Sequence, residues 1–287
     1  MRAFLAGLAA AFVAFVLPAR AEPPVWVVRD ADSEMLLFGS IHVLPPGLKW
    51  RPKALDAALA GADDLWFELP VGPATDQEAA RLAASSGILP PGQSLFTLMP
   101  PADAERLIRV ARTWGLEPAN LDRLEPWLAE ISLASAVYTR AGAQTSLGVE
   151  AVLNAAAPAT VARRALETPA EQIGIFDQTP LADQIASLKT SVEELEKDAG
   201  GYLKLVEAWR SGDPGRLDRE ALQPLREASP MLFRRLVTKR NARWTAELDA
   251  RLKGKGRTIV VVGVGHLVGD EGLPTRLRAL GYSVTGP

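Results

Sequence analysis

His42 and His266 are the only imidazoles in this chain, and each closes a Gly-x-x-His segment at the end of an apolar run, MLLFGSIH and TIVVVGVGH. Near neutral pH an imidazole serves as a base, a proton donor or a metal ligand, so any histidine chemistry must use one or both. Glu68 ends a third apolar run, DLWFELP, in the same manner. A charged carboxylate seldom enters such surroundings without a cation, a metal or several donors, because desolvation disfavours it. Two imidazoles and a carboxylate form a sensible ligand set for zinc, manganese, cobalt or iron, with positions left for water. A divalent metal there would lower the pKa of its bound water and polarise a carbonyl. Taken alone, either histidine reads more simply as a locally hydrogen-bonded packing residue; their repetition favours a shared site.

Four further residues are individually weaker: Arg240, a catalytic candidate, and the secondary candidates Glu150 in SLGVEAVL, Glu167 in RALETP and Asn241 beside Arg240. Arg240 is of interest because a guanidinium can hold a carboxylate or a developing oxyanion with several donors. Each has a plainer alternative. Glu167 would cap a helix starting near Thr168 and Pro169, and Arg240 would join Arg234, Arg235 and Lys239 on a solvated basic face. The chain has no HExxH and no GxSxG, and VGVGHLVG lacks the GxGxxG spacing of a dinucleotide site.

The elements that must position these residues are legible as short apolar runs and amphipathic stretches. Strands are expected at 25–30, 35–38, 64–70, 259–262 and 282–284, with each histidine where a strand becomes a loop. A helix at 52–60, stopped by Gly61, fits a crossover that makes the second and third strands a parallel pair. Further helices are expected at 101–114, 126–140 and 180–210, the last bent near Gly200 and Gly201 and broken by SGDPG, and at 230–254. The fold class is therefore α/β, with α+β as the alternative: a mostly parallel central sheet, flanking helices and a large helical insertion at about 75–255 within a single domain at 22–287. In such sheets ligands bind beyond the carboxyl ends of the strands, where residues from several strands converge.

Arg2 precedes an apolar stretch over 3–17, and Ala19-Arg20-Ala21 fits a small-x-small cleavage pattern, so residues 1–21 read as a removable signal peptide. The mature chain is then exported, to a periplasm in a source with two membranes, with no stable membrane span. A formal charge of −2 argues against a nucleic-acid partner, and with no cysteine there is no disulfide, thiolate ligand or cysteine nucleophile.

The sequence FGSIHVLP, FELP, LGVEAVLNAAA, ALETPAEQ, EAWRSGD, RNARW and VGVGHLVGDEGLP together resembles the TraB/GumN group over nearly the whole mature chain. That group is related to the animal Tiki proteins and more distantly to erythromycin-esterase-like and ChaN-like proteins. The resemblance implies that His42, Glu68 and His266 match the family's active-site histidines and acid, that Arg240 matches its arginine, and that the activity is metal-dependent peptide hydrolysis. Two positions depart from the pattern: Glu150 stands where many relatives have aspartate, and Lys239 where they have glutamate. The leading expectation is an exported hydrolase with a divalent metal at His42, Glu68 and His266 and with Arg240 helping to hold substrate or stabilise the oxyanion, acting on a peptide or small-molecule substrate. The alternatives are a metal-independent esterase-like hydrolase with a histidine base, and a non-catalytic binder of haem, metal or peptide.

Overall fold

The computed structural model describes residues 22–287, so the signal-peptide reading of 1–21 lies outside the described residues. Six strands, β1 (Val25–Arg29), β2 (Ser33–Ser40), β3 (Asp64–Phe67), β4 (Ala162–Ala165), β5 (Gly256–Gly263) and β6 (Ser283–Thr285), form one sheet in the order β4-β3-β5-β2-β1-β6. The four strands from β4 to β2 are mutually parallel, and β1 runs antiparallel to both of its neighbours. The fold is thus of the mixed α/β type with a mostly parallel sheet.

The continuous apolar runs mark the strands covered on both faces. Met35 through Phe38 and Ile259 through Val262 are all buried, as expected for central parallel strands sandwiched by helices. Their register places Ser40 opposite Gly263 and Phe67 opposite Val261, so β2, β3 and β5 all end along one edge. That register, set by the apolar runs, brings His42, Glu68 and His266 to the same side of the sheet.

The crossover helix occurs at Lys53–Ala60, and Leu55 and Leu59 are its buried residues. The strands it joins are parallel, but they are not neighbours, because β5 lies between them. Nothing within 33–70 announces this. The most apolar strand comes from the far end of the chain and takes the central position, where it pairs on both edges.

Between β3 and β5 the chain is mainly helical but also contains β4, which the sequence reading missed. Its ARRA sequence has no alternation of apolar residues and sits mostly exposed at the sheet edge, where charged side chains discourage further strand pairing. Helices at Pro101–Thr113, Pro126–Arg140 and Leu181–Lys197 enclose a second hydrophobic cluster around Leu107, Leu133 and Leu188. The segment read as one helix over 230–254 is Pro230–Phe233, a π-helical turn at Arg234–Thr238, and Lys239–Leu252. Trp209 and Trp244 are fully buried core residues, and Trp209 Nε1 donates to the Gly39 carbonyl at 2.8 Å. Among the described residues, no helix is long and apolar enough to cross a membrane.

Gly148, which starts the helix Val149–Ala156, touches the backbone of the first histidine turn. A Cβ there would lie 2.0 Å from the His42 carbonyl oxygen, and the Val149 N–H bonds to the Ile41 carbonyl at 3.2 Å. Gly148→Ala is therefore expected to cost about 1–3 kcal/mol through overpacking. Equilibrium urea unfolding checks this, and an unchanged midpoint would show that the turn yields freely.

Candidate active site

Glu68 and Glu167 follow β3 and β4 side by side, joined by a backbone hydrogen bond from the Glu167 N–H to the Glu68 carbonyl at 2.9 Å. Both side chains are buried and turn toward Arg240, near the start of Lys239–Leu252. Arg240 is only 7% exposed, so it is not part of a solvated basic face. Its Nη2 donates to Glu68 Oε2 at 2.5 Å and to Glu167 Oε1, its Nε to Glu167 Oε2 at 3.1 Å, and its Nη1 to the Leu236 carbonyl at 3.2 Å and His266 Nε2 at 3.0 Å. A guanidinium has five N–H donors, and here every one is committed. None is left for a substrate oxyanion, so Arg240 acts by positioning Glu68, Glu167 and His266. Its plane also stacks over Trp244, with Cζ 4.4 Å from the ring centroid.

Glu167 does not cap the following helix. Thr168 and Glu171 form that capping box, while Glu167 also receives Gln172 Nε2 at 3.1 Å and Arg243 Nη2 at 2.9 Å. Arg243 and Gln172 were missed at the level of sequence. Arg243 had a signal, since its spacing of three from Arg240 puts both on one helix face; Gln172 had none.

Asn241 fixes the His266 ring. Its Nδ2 donates to the Glu271 carbonyl at 2.7 Å and the His266 carbonyl at 3.3 Å, which leaves Oδ1 to face His266 Nδ1 at 2.6 Å. The amide oxygen can only accept, so Nδ1 carries the proton and Nε2 keeps its lone pair. Burial lowers the His266 imidazole to about 3, keeping it neutral. Burial pushes Glu68 upward, but Arg240 above all, with His42 and the Gly263 N–H, outweighs it and brings the carboxyl down to about 2. Glu68 is accordingly anionic at neutral pH, and neither group is a strong base on its own.

His42 sits at the mouth, with 66% of its side chain exposed, and its Nδ1 pairs with Glu150 Oε1 at 2.7 Å. The Glu150 carboxylate raises the imidazole to about 9, a pull that water around the open ring tempers. Burial raises Glu150 in turn, and the imidazolium outweighs it to hold that carboxyl low. Glu150→Gln keeps a hydrogen-bond acceptor but removes the charge, so the His42 midpoint should fall toward the ordinary value near 6.5. With two histidines in the chain, proton NMR titration resolves this directly; a midpoint unmoved by the substitution would remove Glu150 as the cause.

Gly263 shows that the three principal candidates converge. A Cβ on it would lie 3.2 Å from Glu68 Oε1, 3.7 Å from His266 Cδ2 and 3.8 Å from His42 Nε2. The Gly263 N–H also donates to Glu68 Oε1 at 2.6 Å. A side chain here would fill the center of the site. Outside it opens a cleft of about 500 Å³, lined by His42, Glu68, Glu150 and Gln172 together with Leu69 and Thr145.

Among the described residues, no cluster of three His, Cys, Asp or Glu side chains stands ready as a metal cage. The donors nonetheless suit a divalent cation in kind. His266 Nε2 bears a lone pair 3.7 Å from Glu68 Oε1, a spacing that lets both reach one ion through bonds of about 2.0–2.2 Å. His42 Nε2 faces the same point, and its exposed ring is free to turn toward it. Arg240 Nη1 would have to release His266 Nε2 for that lone pair to serve as a ligand.

The model of the TraB/PrgY/gumN family matches residues 24–286. The chain is similar to the uncharacterized protein YbaP of Escherichia coli, 24% identical over 257 residues that cover 89% of this chain and 92% of the relative. The YbaP of Shigella flexneri matches at the same identity and coverage. No solved structure matches.

Proposed function

The chain belongs to the TraB/PrgY/gumN family, and on that premise we propose that it is an exported hydrolase of peptide bonds acting in the cleft beyond β2, β3 and β5. The observation that carries this reading is the convergence of Glu68, His266 and His42 around Gly263, with His42 and Glu68 lining an open cleft and His266 buried behind them. His42 Nε2 and Glu68 Oε1 both face the volume that a substrate carbonyl and an attacking water would share. His42, charged and exposed, is suited to donate a proton or hydrogen bond to the carbonyl oxygen or the leaving nitrogen. Glu68, anionic and clamped by Arg240, is suited to orient water. Arg240 and Asn241 hold Glu68 and His266 in place without touching substrate. With a divalent metal of the zinc, manganese, cobalt or iron type, His42 would instead give up its Nε2 proton, and its neutral imidazole would hold the ion together with Glu68 and His266. That ion would supply Lewis-acid activation of water and the carbonyl.

The test is a pooled screen. Purified protein, either loaded with these cations or treated with chelator, is incubated with a peptide library and an ester library, and products are identified by mass spectrometry. Cleaved peptides from the loaded protein alone are expected. No product from either pool would contradict hydrolysis, and equal product after chelation would contradict the metal and favour a histidine base.

A further inference from the structure

A second cavity lies within the helical insertion, lined by none of the residues of the histidine cleft. It is a half-open cleft of about 600 Å³, within the range of small-molecule sites. Leu133 and Val137 from Pro126–Arg140, Leu195 from Leu181–Lys197, and Leu205 from Gly201–Ser211 give it an apolar wall. Tyr138 and Tyr202 add aromatic faces, their ring centroids 4.9 Å apart.

Into this wall is set the carboxyl of Glu130. The hydroxyls of Ser187 and Ser191 both donate to its Oε1, at 3.0 and 2.6 Å, while its Oε2 accepts no hydrogen bond among the described residues. Glu194 and Glu220 line the same cavity, against Lys197 as its one cationic side chain. Burial raises Glu130 despite its serine donors, as it raises Glu194 despite Lys197, so both carboxyls lack full compensation. An apolar cleft with tyrosine faces and an excess of carboxyls is complementary to an ammonium group on an apolar body.

Two walls of the cavity also reach the histidine turns. Tyr202 donates its hydroxyl to the Val43 carbonyl at 2.8 Å, one residue after His42. The π-helical turn Asp218–Leu222 gives Glu220 and Ala221 to the cavity, while its Leu222 packs on Gly265, one residue before His266. The contact is close: a Cβ on Gly265 would lie 2.8 Å from Leu222 Cδ2. A π-helical turn inside a helical segment often marks a functional position.

We propose that this cavity is a second ligand site, for a small amphipathic ammonium compound, and that its occupancy is transmitted to both histidine turns through Tyr202 and Leu222. The probe is n-octylammonium, compared with n-octanoate by titration calorimetry on the purified protein. His42 and His266 give two imidazole signals in proton NMR, which report transmission without any turnover. Octylammonium should bind at least about tenfold more tightly than octanoate and shift both signals. Glu130→Gln, which keeps the shape and removes the charge, should weaken binding by about tenfold. Ala134→Trp, which sets an indole into the cavity wall, should abolish binding and the signal shifts together. Octanoate binding as well as octylammonium in the unaltered protein would overturn the site whatever the variants do. Octylammonium binding that both variants leave intact, or that moves neither imidazole signal, would overturn it as well.

Discussion

Glu68→Gln and His266→Ala should each reduce kcat/KM for a cleaved peptide by about 10²–10³-fold, the scale of losing one preorganised polar group at a reacting centre. Glu68→Gln is nearly isosteric, so what it removes is charge. The Gly263 N–H and Arg240 Nη2 now donate to two carboxylate oxygens, and a glutamine would present one oxygen and one NH₂ group to them. His266→Ala removes the neutral Nε2 that Asn241 holds in its tautomer. Asn241→Leu should then lower kcat with a smaller change in KM, because it frees the ring without removing it. Variants of Glu68 and His266 that stay within a fewfold of the unaltered protein would place the chemistry elsewhere.

The second large effect falls on stability. Arg240→Met leaves Glu68 and Glu167 buried without the cation that satisfies both, and should cost about 3–5 kcal/mol in denaturant unfolding. Arg240→Lys should recover little, since an ammonium has three donors where the guanidinium uses five. A loss under about 1 kcal/mol would mean that Arg243 and water already compensate the pair. In the unaltered protein the same cluster predicts acid sensitivity. His266 is held near 3 when folded against 6.5 unfolded, and Glu68 near 2 against 4.5. The unfolded chain therefore binds more protons across these windows, so both contributions to stability are lost as pH falls, from 6.5 toward 3 for His266 and from 4.5 toward 2 for Glu68.

The sequence disclosed the strand ends and therefore most of the site. Continuous apolar runs ending in a histidine or a glutamate need no tertiary information to be read as buried strands delivering polar residues to one edge. The helix boundaries at Pro126–Arg140 and Lys53–Ala60 were equally legible, because proline and glycine mark helix ends by local sterics. Strand order was not. The insertion of β5 between β2 and β3 depends on a residue separation near two hundred, and nothing in either run encodes its neighbour. The short edge strand β4 was hidden because its Arg163 and Arg164 satisfy edge protection rather than burial. Among the site residues, Arg240 was expected to hold substrate or an oxyanion, or else to join its basic neighbours, whereas the structure buries it against two carboxylates. The cause is helix phase: Arg240, Asn241 and Trp244 share the buried face, and Lys239 does not. The pairing of His42 with Glu150, across more than a hundred residues, likewise had no local signal.

If His42, Glu68 and His266 act as one site, they share one metal ion. Elemental mass spectrometry on protein purified without chelator or metal-affinity resin, reconstituted with zinc, manganese, cobalt and iron in turn, tests this most directly alongside His42→Ala, Glu68→Ala and His266→Ala. The prediction is about one divalent ion per chain in the unaltered protein and its loss in each of the three variants. Full metal content in any one of them, or none in the reconstituted protein, would contradict the shared metal site.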